Sequence, residues 1–256
     1  MSKPPGMIKN LLLLLFCSMF FLNASAQHLR IAVAANAQFV IKKLQSDFER
    51  KTGIETEVII GSSGKLAAQI KNGAPYDLFL SADMQFAELL FKAGFGITKP
   101  KEYASGSLII CGRGNMDLKR WQNVLGGNSI KKMAIANSKL APYGAAAEQA
   151  LRRYNLWNEL QSKLVFGESI AQVNTYITTG TVPLGFTTEA LIYEYSGQHK
   201  LNWQRIDPKT YDKIRQGMIV LSHAKNGNYK QAMAFYSYLS SAAAKSIFKR
   251  NGYLVP

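Results

Sequence analysis

Short apolar runs alternate with segments of helical spacing through most of this chain. Leu29 to Ala34 reads as a buried strand, and Phe39, Val40, Leu44 and Phe48 then recur at helical intervals up to Gly53, a stop signal. Glu57 to Ile60 is the next predicted strand. A short helix with Leu66 and Ile70 on one face follows and ends at Gly73. Asp77 to Leu80 is a third strand and Met84 to Ala93 a helix. Strand, helix, strand, helix in this rhythm predicts a parallel sheet with crossover helices.

The pattern restarts after residue 106. Leu108 to Cys111, Met133 to Ala136, Leu164 to Phe166 and Val182 to Phe186 read as strands; Gly144 to Tyr154, Ser169 to Thr178 (stopped by Gly180) and Glu189 to Tyr193 read as helices. Met218 to Leu221 is a late strand, and two helices run through Phe235 and Ile247. No Pro- or Ser-rich linker separates the halves, and neither half repeats the other. Two α/β lobes joined by strands fit this better than domains on a flexible tether.

The first residues follow another order. Lys3 and Lys9 flank a basic start, Leu11 to Leu22 form an apolar run, and Asn23-Ala24-Ser25-Ala26 supplies small residues in an A-x-A pattern. That order predicts a secretory signal peptide over residues 1–26, cleaved after Ala26. A membrane anchor would need roughly 20 apolar residues, more than this run provides. Lipid attachment at Cys17 is disfavoured because Phe16 stands where a lipoprotein signal wants a small residue.

Composition changes the picture only a little. The whole chain carries a formal charge of +15; without residues 1–26 it keeps 29 basic against 16 acidic side chains, a balance of +13. Pairs such as Lys42-Lys43, Lys131-Lys132 and Arg152-Arg153 are scattered, so the charge reads as solvated faces and not as a nucleic-acid stripe. The mature chain keeps one cysteine, Cys111, inside an apolar run: no intrachain disulfide can form, and nothing nearby in sequence would stabilise a thiolate.

The chemistry concentrates at four strand-to-helix junctions: Ala34-Ala35-Asn36-Ala37, Gly61-Ser62-Ser63-Gly64-Lys65, Ala141-Pro142-Tyr143-Gly144 and Glu168-Ser169-Ile170. A helix N-terminus leaves its first N–H groups without partners, and its dipole favours negative charge. Several such ends facing one cleft make an anion site that needs no lysine or arginine. Taken singly, Asn36 and Ser63 are also ordinary capping residues, and Tyr143 beside Pro142 is an ordinary turn contact. The glycines of Gly61 to Lys65 are too close for a phosphate-binding P-loop, and Leu66 follows the lysine. His28, His199 and His223 have no metal-ligand spacing, and no catalytic motif is present, so the chain is expected not to be an enzyme and to hold no cofactor.

Together these junctions resemble the periplasmic molybdate-binding proteins of ABC importers, a group with the type II periplasmic binding fold. The most specific stretch is Gly61-Ser62-Ser63-Gly64-Lys65-Leu66-Ala67-Ala68-Gln69-Ile70 through Gly73-Ala74-Pro75-Tyr76-Asp77-Leu78-Phe79-Leu80-Ser81-Ala82-Asp83. Ala34-Ala35-Asn36, Pro142-Tyr143-Gly144 and Pro183-Leu184-Gly185-Phe186 support it, and the likeness covers residues 28–256. The resemblance implies two lobes, residues 27–106 with 219–256 and residues 107–218, holding the anion in the cleft between them. It places the ligand contacts on Asn36, Ser63, Tyr143, Ile170 and Thr188, with Tyr143 and Ile170 acting through backbone N–H groups. At Thr188 some members have a tyrosine hydroxyl, so the contact there could pass to Thr187 or to a water. Molybdenum would enter only as the oxyanion, through these same residues. The resemblance further implies a monomeric periplasmic protein that passes molybdate or tungstate to a membrane permease. A receptor for sulfate or another small oxyanion, and a secreted enzyme on the same scaffold, are the alternatives.

Overall fold

A computed structural model describes residues 28–256; the expected signal segment lies outside them. Two five-stranded sheets organise the described residues. The first begins with β1 (Leu29–Ala34), whose side chains are almost all buried, as a strand covered on both faces requires. Helix α1 (Val40–Thr52) ends where Gly53 takes φ 69° and donates its N–H to Glu49. β2 (Thr56–Gly61), α2 (Ser63–Lys71), β3 (Leu78–Leu80), α3 (Gln85–Lys92) and β4 (Lys101–Gly106) follow.

The chain then crosses into the second sheet: β5 (Leu108–Arg113), α4 (Trp121–Gly126), β6 (Met133–Ala136), α5 (Pro142–Arg153), α6 (Trp157–Leu160), β7 (Leu164–Gly167), α7 (Ile170–Thr179), β8 (Leu184–Thr188), α8 (Ala190–Glu194) and β9 (Leu201–Arg205). It returns as β10 (Ile214–Val220), followed by α9 (Tyr229–Tyr238) and α10 (Ala242–Arg250). Because β10 lies wholly in the first sheet, the lobe division expected at residue 218 falls inside a strand.

The orders are β2-β1-β3-β10-β4 and β7-β6-β8-β5-β9. β1 runs parallel to β2 and β3, and β6 to β7 and β8, as the alternating pattern predicts. Each sheet also holds a strand whose direction the alternating pattern does not predict: β10 is antiparallel to β3 and β4, and β5 to β8 and β9. The antiparallel strands lie where the chain passes between sheets, and crossing there reverses strand direction without a crossover helix.

Each sheet has its own core. Leu29, Ile31, Val33, Leu44 and Phe48 pack with Phe235 and Phe248 of the last two helices, while Ala32, Leu66, Ile70 and Phe79 fill the other face of the first sheet. Leu108, Ile110, Ile135, Leu151, Val173 and Phe186 build the second core. Cys111 is buried in it, and burial pushes its thiol pKa up to about 12, which leaves an inert hydrophobe.

Candidate functional site

The carboxyl ends of β1 and β2 face those of β6 and β7 across the cleft, and every one of these strands runs into a helical start. β1 gives way to a 3-10 turn, Ala35–Ala37, that holds Asn36 buried. β2 ends at Gly61, and extended Ser62 (φ −69°, ψ 149°) leads into α2. α5 opens with Pro142, whose ring suits the first helical position and brings no N–H. α7 is capped by Ser169, which accepts the Gln172 N–H.

Asn36, Ser63, Tyr143 and Ile170 all line one cavity of about 10 Å³, together with Ser62 and Ala82. That size is on the order of one water-sized sphere. No lining residue carries a charge. At the first turns, the N–H groups of Ser63, Tyr143 and Ile170 have no partner within their own helices. The site therefore joins neutral donors from both lobes around a compact space.

The Ser63 hydroxyl does not cap α2; its oxygen accepts the Ala82 N–H at 3.0 Å, leaving its own proton to give. Asn36 donates from Nδ2 to Gln216 Oε1 at 3.0 Å, and Tyr253 donates to the Asn36 carbonyl at 2.7 Å. Asn36 Oδ1 and Ser62 Oγ are buried without a protein partner. Buried polar atoms are rarely left so, and both belong to residues that line the cavity; the Ser62 hydroxyl can donate there, whereas Asn36 Oδ1 can only accept. Burial pushes the phenol pKa values of Tyr103, Tyr143 and Tyr253 upward, so these side chains stay neutral beside the site. Burial likewise raises the Asp83 carboxyl pKa.

Thr188 does not line the cavity. Its hydroxyl donates to Tyr143 Oη at 3.2 Å and accepts the Ala190 N–H. Thr187 is turned away as well, bonding Asn174 Oδ1. Tyr143 Oη accepts from Thr188 and Gln216 and so keeps its own proton to give, and α5 adds the Tyr143 backbone N–H of its first turn. Ser62 and Ala82, which line the cavity, escaped the sequence reading as site members, and so did Gln216 behind them, which no local pattern marks.

A larger groove of about 980 Å³ opens at the outer edge of the cleft, between β2 with α2 on one lobe and α7 with the end of α8 on the other. Lys65 and Glu168 bridge it at 2.7 Å, both about half exposed. Beside them the Gly64 N–H donates to the Leu140 carbonyl at 2.9 Å, a backbone bond from one lobe to the other.

Residues 29–254 match the family described as bacterial extracellular solute-binding protein. The molybdate-binding protein ModA of Azotobacter vinelandii is 35% identical over 231 residues, covering 90% of this chain and 91% of that protein. The protein of the same name from Rhodobacter capsulatus is 30% identical, with 91% and 90% covered. A solved structure of the Azotobacter vinelandii periplasmic molybdate-binding protein superposes with a TM-score of 0.84 at 30% identity, covering 90% of this chain and all of that one.

Proposed function

The chain belongs to the bacterial extracellular solute-binding protein family, and from that premise we propose that it captures molybdate, or tungstate, in the periplasm for an ABC importer. The observation that carries this reading is the small uncharged cavity where helix starts from both lobes converge. A dianion there meets only neutral donors, and hydrogen bonds to an ionised acceptor are the stronger kind. Fixed ion pairs, with their desolvation cost, are avoided. So compact a space, closed between the two lobes, favours a small solute over a sugar or a peptide. It offers hydrogen bonds and no acid–base pair, which favours binding over turnover. The names of the curated relatives add the choice of molybdate among oxyanions.

Delivery is to a permease in the inner membrane. Export rests on the residues 1–26 signal. Intact mass of protein recovered from the envelope should give a mature chain starting at Gln27; a retained Leu11–Leu22 segment overturns that part. Thermal unfolding tests the ligand. Molybdate and tungstate should raise Tm and sulfate should do so weakly or not at all, with ligand at a thousand times its Kd adding about 4 kcal/mol. Equal shifts with sulfate would make the protein a general oxyanion receptor.

A further inference from the structure

Gln216 sits on β10 of the first lobe, fully buried, at a break in register: the pairing of β10 with β4 shifts between Gln216 and Gly217. Bulges of this kind re-aim a side chain and are over-represented beside functional sites. Here the side chain spends both ends of its amide. Oε1 accepts from Asn36 Nδ2 at 3.0 Å, and Nε2 donates to Tyr143 Oη at 3.3 Å. Asn36 belongs to the first lobe and Tyr143 to α5 of the second, so the two bonds form a buried link from one wall of the cavity to the other.

Gly106, at the crossing from β4 to β5, makes this link possible. A Cβ there would fall 1.7 Å from Tyr143 Oη and 2.9 Å from Gln216 Nε2, so any side chain at this crossing would expel the pair. An amide presents an oxygen on one side and a nitrogen on the other, and only the nitrogen end helps an anion. A rotor left to itself would sample both. Gln216 Oε1 takes one of the two Asn36 Nδ2 hydrogens, which fixes the amide and leaves its second N–H to give, with Oδ1 unpartnered, and the bond to Tyr143 fixes Gln216 in turn.

We propose that Gln216 is the positioning residue of the anion site: by accepting one Nδ2 hydrogen it holds the Asn36 amide so that the second serves the anion, and it ties Asn36 to α5 of the opposite lobe. This rests on the reading of the cavity as an anion site. It does not make Gln216 a contact of the anion, since the residue is not among those lining the cavity.

Calorimetric titration of the mature chain with sodium molybdate tests it, with Gln216→Met to keep the length and remove both bonds, Asn36→Ala, and the double variant. Gln216→Met should weaken binding by about tenfold in the parent and change little where Asn36 is already alanine. Equal weakening in both backgrounds, or none in either, overturns the proposal. Gln216→Glu supplies a second arm that does not depend on the methionine variant folding. Its carboxyl keeps an acceptor for Asn36, and its charge appears beside the bound dianion. Its affinity should approach the parent's at low pH and fall as the carboxyl ionises, while the parent shows no such decline. A Gln216→Glu profile parallel to the parent's would refute the placement. Failure of the parent to bind molybdate would instead remove the anion-site reading, and the parent titration separates the two failures.

Discussion

The small cavity and the large groove lie in the same cleft and share Ser62, yet they are built on opposite terms. The cavity, about 10 Å³, has uncharged walls and buried donors. The groove, about 980 Å³, carries a half-exposed ion pair and open polar side chains. Space is not what makes a binding site here. A hydrogen bond to an anion gains most where water is excluded and the donors are already held in place, whereas an exposed Lys–Glu pair trades one solvated arrangement for another. The groove is the seam along which the lobes meet; the cavity is what that meeting encloses.

The contrast can be broken most directly inside the cavity. Ser63→Ala removes a hydroxyl donor and should weaken molybdate binding by about 1.5–3 kcal/mol, roughly tenfold to more than a hundredfold. The same change leaves the buried Ala82 N–H without its acceptor, so the ligand-free protein should also lose about 1–3 kcal/mol of stability in urea unfolding. An unfolding midpoint that drops while Kd holds would confine Ser63 to structure.

Ile170→Pro tests a backbone donor. Ile170 is the first residue of α7, a position proline tolerates, and Ser169 before it is already extended at φ −145°, ψ 168°. The helix should persist while the N–H disappears, weakening affinity by about tenfold. Unchanged binding with intact helicity by circular dichroism would show that this N–H faces no anion.

Gly64→Ala acts on the seam beside the cavity. Its Cβ would meet Leu140 Cα at 3.0 Å and Phe86 at 3.1 Å, so the lobes should close less well. A cost of about 1 kcal/mol in affinity, roughly fivefold, is expected. Small-angle scattering should show a less compact particle with molybdate than the parent gives. Smallest is Lys65→Ala across the groove, worth about 0–1 kcal/mol and fading as salt rises. A tenfold, salt-resistant loss of affinity there would mean that the groove and not the cavity carries the binding.

Several of these residues could be found without coordinates. Asn36, Ser63, Tyr143 and Ile170 follow apolar runs at places where a helix must start, and the chemistry of helix starts is local. Continuous strands such as Leu29 to Ala34 and Met133 to Ala136 were legible for the same reason. β4 and β9 were not, because Lys101–Gly106 and Leu201–Arg205 lack an apolar run. Thr188 looked like a ligand contact by position in the resemblance, but its hydroxyl is engaged by a tyrosine 45 residues away.

The sequence by itself determined that this chain alternates strands and helices, that it starts with an export signal's pattern, and that four helix starts carry small polar groups and free N–H groups. Tertiary structure decided which of those starts meet, how much space they enclose, and which polar atoms are already taken. Gln216 lies 180 positions from Asn36, and Gly106 37 from Tyr143. Their contacts depend on two lobes packing across a cleft. Nothing local encodes that distance, because it is set by the cores and crossing strands of both lobes together.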